Sequence, residues 1–134
     1  MVVGMGTDLA EIVRVARSIE RFGDRFLARV YTPGEIAYCM TKKGFAESFA
    51  ARFAAKEAGA KALGTGISFG VSWKEFEVTR AKSGKPSLVL HGRAAALAAA
   101  MGVVHISLSL THTRDLAMAV VVMEGRDWAP GSRE

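Results

Sequence analysis

Cysteine is almost missing from this 134-residue chain: Cys39 stands alone. No internal disulfide can form, and a lone thiol suits a reducing cytoplasm. One sulfur ligand is also too little for a structural zinc site of the cysteine-rich kind. No apolar run approaches the roughly 20 residues that cross a bilayer, and the N-terminus lacks the basic region, apolar stretch and cleavage site of a secretion signal. Aromatic residues make up only 8% of the chain and are nowhere interleaved with basic ones, so a stacking platform for nucleic acid has no counterpart here. Acids are outnumbered, with 13 Asp and Glu against 18 Lys and Arg and a formal charge of +5. That balance favours acidic partners (nucleic acid, a phosphorylated cofactor or an acidic protein) without choosing among them.

What is present suits one folded unit. The length allows one core and not two ordinary domains, and 50% apolar residues is a globular composition. The glycine-containing run from Val2 to Leu9, with Asp8 at its end, reads as a buried strand. A helix from about Ala10 to Arg29 follows, with Ile12, Val15, Ile19, Phe22 and Phe26 as its apolar stripe and Gly23 breaking or bending it. Thr32-Pro33-Gly34-Glu35 is a helix start, with Thr32 as N-cap, Pro33 at the first position and Glu35 closing a capping box. That helix runs to about Lys43. A long Ala-rich helix spans Phe49 to Leu63 and is stopped by Gly64. Strands are expected over Ser72–Arg80 and Ser87–Leu90 around the turn Ser83-Gly84-Lys85-Pro86, then a helix over Gly92–Met101. Two closing strands cover Val103–Leu110 and Ala117–Met123. Adjacent strand pairs mixed with helices make the class α+β. The domain is expected to end near residue 124, and 125–134 reads as a polar, frayed tail.

Within the long helix, Phe49, Phe53, Glu57 and Ala60 fall along one face, so a carboxylate stands in line with two phenylalanines. Arg52 and Lys56 flank that face, and Lys61 lies one turn beyond Glu57. The bland alternative is an i,i+4 Glu57–Lys61 pair on a solvated surface, and Asp8 alone need only cap a helix. Should the fold bring Asp8 to Glu57, the two would form a hard oxygen site suited to Mg²⁺, which takes one or two carboxylates plus waters and phosphates. No His or Cys accompanies them, which argues against zinc. Lysines and the backbone N–H groups of Gly64-Thr65-Gly66 suit a pyrophosphate. A third cluster is Ser109-Leu110-Thr111-His112-Thr113, where Ser107, Ser109 and Thr111 share one polar strand face and His112 is placed to bond a phosphate or nucleotide. Arg14, Arg17, Arg21 and Arg25 recur every three or four residues as a basic stripe on the first helix.

These pieces together resemble the holo-[acyl-carrier-protein] synthase family of 4′-phosphopantetheinyl transferases. The resemblance rests on Gly6-Thr7-Asp8 with Arg14, on Arg52 to Gly66 without a gap, on Gly84-Lys85-Pro86, and on Ser109 to Thr113 followed by an Ala-rich strand. Thr111 stands where many members carry Ser, which preserves a hydroxyl. The resemblance implies an antiparallel sheet packed with helices, a single domain assembling as a trimer, and active sites at subunit interfaces. It implies transfer of 4′-phosphopantetheine from coenzyme A to a serine of acyl carrier protein, in fatty-acid biosynthesis. Asp8 and Glu57 would hold Mg²⁺, with Lys61 beside the transferring group. Arg52, Lys56, Gly64, Gly84, Lys85, Pro86 and His112 would bind the coenzyme. The serine proton would pass to Glu57 or to a water on the metal. The arginine stripe would dock an acidic carrier. Two rivals are a relative serving carrier domains of polyketide or peptide synthases, and a non-catalytic nucleic-acid module using the same arginines.

Overall fold

Helix α4, Phe45–Leu63, runs through the middle of the molecule and is buried on nearly every side. It begins four residues earlier than the sequence pattern suggests and ends at Gly64, whose φ of 82° is the left-handed cap that glycine adopts without strain. Most of the other elements are laid against it. The computed structural model describes residues 1–126; the frayed tail expected for 125–134 lies, from 127 onward, outside the described residues.

In chain order the elements are β1 (Val2–Glu11), α1 (Ile12–Phe22), α2 (Asp24–Val30), α3 (Pro33–Met40), α4, a 3₁₀ turn (Trp73–Glu75), β2 (Phe76–Arg80), β3 (Pro86–Leu90), α5 (Gly92–Ala100), β4 (His105–His112) and β5 (Leu116–Glu124). The expected antiparallel pairs form: β2 with β3, and β4 with β5. Strand β1 joins the far side of β5, giving a three-stranded antiparallel sheet in the order β1-β5-β4. The α+β class holds.

Several boundaries differ from expectation. Strand β1 continues through Ala10 and Glu11, because these residues ladder with Ala117 and Leu116, and cross-strand pairing overrides their helix propensity. At Gly23, with φ 55°, the expected break or bend is a full break that separates α1 from α2. The capping box at Thr32–Glu35 forms as read, but α3 stops at Met40 instead of Lys43. Ser72 to Glu75 is not strand: the Glu75 carboxylate accepts from the Ser72 N–H at 3.2 Å and from the Ala94 N–H at 2.8 Å, tying a 3₁₀ turn to the start of α5. Cys39 is fully buried, and burial pushes its thiol up to about 11, so it is poorly nucleophilic at neutral pH.

Along β1, Gly4, Gly6, Asp8 and Ala10 face α4, while Met5, Thr7 and Leu9 face away and are exposed. The two glycines explain the close docking. A Cβ at Gly6 would sit 1.9 Å from the Ala58 carbonyl oxygen, and one at Gly4 would sit 2.3 Å from that of Ala62. Strand and helix therefore meet backbone to backbone. We expect Gly6→Ala to force β1 off the helix and to lower stability by about 1–3 kcal/mol. A urea midpoint unchanged from the parent would show that the strand accommodates the methyl group.

Candidate functional site

The strand–helix contact made by Gly4 and Gly6 carries Asp8 to the side of α4. Lys61 donates to Asp8 Oδ1 at 3.0 Å and to the Thr7 carbonyl at 3.1 Å. Glu57, one helical turn before Lys61, is half-buried beside them. Burial first, and then the negative charge of Asp8, hold its carboxyl above the usual carboxylate range, with the Lys61 ammonium pulling the other way. Asp8, Glu57 and Lys61 thus come together as a corner with two acids and one base. Thr7, Asp8, Leu9, Lys61 and Met118 line an open cleft there. Among the described residues no three His, Cys, Asp or Glu side chains gather into a metal cage. Two converging carboxylates, one with raised proton affinity, fit a hard divalent cation that completes its shell with substrate oxygens and water.

Lys56 lies elsewhere, and the expectation that it binds a coenzyme is corrected. Its side chain is 0% exposed, and its Nζ donates to Glu35 Oε1 at 2.6 Å, the Phe76 carbonyl at 2.5 Å and the Trp73 carbonyl at 3.3 Å. All three ammonium donors are used. Glu35 in turn accepts from the backbone N–H groups of Thr32 at 2.9 Å and Val78 at 2.8 Å. This buried ion pair joins α3, α4 and β2. A second correction concerns the Gly64-Thr65-Gly66 cradle. The three backbone N–H groups fold back onto the Ala60 and Lys61 carbonyls to cap α4, so they are not presented to an anion.

A separate basic cleft forms at the other end of α4. It is lined by Glu47, Ser48, Ala51, Arg52, Arg80, Leu110, Thr111 and His112. The side chain of Arg52 is 2% exposed. It donates to the Ser48 carbonyl at 3.2 Å, and its Nε has no hydrogen-bond partner. The guanidinium groups of Arg52 and Arg80 both lie over the Tyr38 ring, at 4.6 and 5.3 Å. His112 points to this side because it shares the α4-facing parity of Leu108 and Leu110, opposite to Ser107, Ser109 and Thr111. Its Nε2 lies 3.3 Å from Glu47 Oε2. Gly84 and Lys85 are exposed at the β2–β3 turn, where Gly84 has φ 90° and Pro86 opens β3. Arg80 Nη1 donates to the Gly84 carbonyl at 2.6 Å, which ties that turn to the cleft.

Arg80 and Glu47 escaped the sequence reading. Arg80 closes a strand beside a turn, a position that signals nothing by itself, and Glu47 is one more acid in a helix's first turn. Only the packing of β2 and β4 against α4 brings them together.

Arg14, Arg17, Arg21 and Arg25 are all exposed. Because Gly23 splits the helix, Arg25 belongs to α2, and the basic stripe spans two helices instead of one. Arg14 lines a groove with Leu9, Val15, Ser18, Phe26 and Phe53. Leu9 also borders the Asp8–Lys61 cleft, so groove and corner adjoin.

A family model described as the 4′-phosphopantetheinyl transferase superfamily matches residues 4–121. A holo-[acyl-carrier-protein] synthase from Solibacter usitatus (strain Ellin6076) is 58% identical over 124 residues, spanning 92% of this chain and 99% of that relative. One from Koribacter versatilis (strain Ellin345) is 52% identical over the same shares. Among solved structures, the holo-[acyl-carrier-protein] synthase of Neisseria meningitidis superposes with a TM-score of 0.85 at 35% identity, covering 92% of this chain and 99% of that one. The Helicobacter pylori enzyme, solved in complex with coenzyme A, gives 0.79 at 31% identity, covering 90% and 99%.

Proposed function

Since this chain belongs to the 4′-phosphopantetheinyl transferase superfamily, alongside the holo-[acyl-carrier-protein] synthases, we propose that it moves the 4′-phosphopantetheine of coenzyme A onto a serine of apo acyl carrier protein, releasing 3′,5′-ADP. The observation that carries this reading is the corner where Asp8 meets Lys61 at 3.0 Å beside Glu57. Asp8 and Glu57 would hold Mg²⁺. Bound there, the ion supplies Lewis-acid and templating chemistry toward the pyrophosphate and the leaving nucleotide. Lys61 is half-exposed and donates to Thr7 and Asp8. Its third N–H is left for the oxygens of the transferring phosphoryl group, where negative charge builds. The serine proton would pass to Glu57 or to a water held at the corner. The reaction calls for no covalent enzyme nucleophile.

The Arg52–Arg80–His112 cleft supplies positive charge for the nucleotide end of coenzyme A, with Gly84-Lys85-Pro86 beside it and Gly64 marking the end of α4 toward the carboxylate corner. The sheet's outer face supports assembly of identical subunits around the sites. Across its strands the rows Met5–Val122–Ser107, Thr7–Val120–Ser109 and Leu9–Met118–Thr111 mix apolar and hydroxyl side chains that stay exposed or half-buried among the described residues. A trimer would cover that face. Among the described residues no helix is long and apolar enough to cross a membrane, and a cytoplasmic site of action, with carriers of fatty-acid synthesis as substrates, completes the reading. A nucleic-acid module would use the arginines but give the carboxylate corner no purpose.

The arginine groove adjoining Asp8 is the carrier's docking face, placed to deliver a serine to the corner. Arg14→Glu is expected to raise KM for the carrier protein roughly tenfold while leaving KM for coenzyme A nearly unchanged. Equal rises in both would remove the docking role. The reaction itself is tested by the intact mass of an apo acyl carrier protein after incubation with this chain, coenzyme A and Mg²⁺. A Mg²⁺-dependent gain of one phosphopantetheine is expected; no gain with several apo carriers, from a folded chain, would overturn the assignment.

A further inference from the structure

The basic cleft holds a group of the wrong sign for an anion site. Arg52 is nearly inaccessible and keeps an unmatched Nε–H, Arg80 shares the Tyr38 ring with it, and His112 closes the rim. A buried guanidinium with an unmatched donor is costly until an acceptor arrives, so this is a built site for an anion. Yet Glu47 is the acid among the residues that line it, and its Oε2 lies 3.3 Å from His112 Nε2. The same carboxylate folds back over the start of its own helix: Oε2 is 3.3 Å from where a Cβ on Gly44 would stand. Negative charge is favoured at that end of a 19-residue helix. Glu47 therefore occupies the position that an incoming phosphate would take relative to His112 and the helix end. Its side chain is 46% exposed, so it is held weakly and displaced easily.

We propose that Glu47 is an internal counter-ion of this cleft, competing with a phosphate of the nucleotide for His112 and the helix end. It neutralises the cleft when no nucleotide is bound and lowers its affinity for phosphate monoesters at large. Ligands also gripped at the Asp8–Glu57–Lys61 corner bind in spite of the competition. The inference rests on the proposed coenzyme site, and the test separates the two.

Isothermal titration of the full chain with 3′,5′-ADP compares the parent with Glu47→Gln, Glu47→Ala and Glu20→Gln, the last removing an exposed acid on α1. Both Glu47 variants are expected to bind roughly three- to tenfold more tightly than the parent, with the gap narrowing at high salt. Glu20→Gln is expected to match the parent. Glu47 variants that bind no better, or worse, overturn the counter-ion role and leave Glu47 a support for His112. An equal gain in Glu20→Gln also overturns it, as an effect of net charge alone. If no chain, the parent included, binds 3′,5′-ADP, the nucleotide site itself falls and the proposal with it.

Discussion

Asp8→Asn and Glu57→Gln are each expected to lower kcat/KM for transfer to the carrier protein by roughly a thousandfold, about 4 kcal/mol of transition-state stabilisation. Both changes are isosteric, so the strand–helix contact made by Gly4 and Gly6 persists while one negative oxygen pair is lost. Burial first, and then the negative charge of Asp8, raise the Glu57 carboxyl above the usual carboxylate range, with the Lys61 ammonium opposing them. A group whose folded pKa is raised binds its proton more tightly in the folded chain, so its ionised form disfavours folding, and stability gains as pH falls through the folded pKa. Mg²⁺ relieves the repulsion from Asp8 and should raise the Tm of the parent. Asp8→Asn should remove most of that Mg²⁺ response and blunt the pH response of Glu57. Either variant retaining a tenth of parental activity, or showing the parent's Mg²⁺ shift in Tm, would take the metal away from this corner.

The second large effect is on stability. Lys56→Met is expected to cost about 3–5 kcal/mol, because it leaves the Glu35 carboxylate buried without its cation. That is a large part of the roughly 5–15 kcal/mol by which domains are stable. Glu35→Gln should be costly for the converse reason: the Lys56 ammonium, 0% exposed, keeps two carbonyl partners but loses its counter-charge. Folded Lys56→Met should still bind coenzyme A, since the lysine touches neither the carboxylate corner nor the basic cleft. Urea unfolding and coenzyme A titration on one sample decide the matter. A variant as stable as the parent but unable to bind coenzyme A would restore Lys56 to the ligand site.

Much of this molecule was legible along the chain. The capping box at Thr32–Glu35 and the stop at Gly64 are local signals, acting within one turn of backbone, and each stands where the pattern puts it. The turn expected at Ser83–Pro86 closes two residues earlier, with the Gly84 N–H donating to the Ala81 carbonyl. The helical spacing of Glu57 and Lys61 was equally plain, and the Gly6-Thr7-Asp8 motif marked the strand residue that joins them. What residue patterns cannot carry is which side chain a distant element will cover. Lys56 and Glu57 are neighbours in sequence with the same propensity for a helix surface. Yet Lys56 turns under the β2 strand into an ion pair with Glu35, while Glu57 turns to the open side near Asp8. The N–H groups after Gly64 were free to serve an anion until the helix end claimed them. Arg80 and Glu47 gained their places beside Arg52 and His112 only when β2 and β4 packed against α4. Local sequence determined the helices, their caps and the identity of the acids and bases. The tertiary structure decided which of them remain available for chemistry, because burial and the pairing of distant strands consume some donors and leave others unmatched.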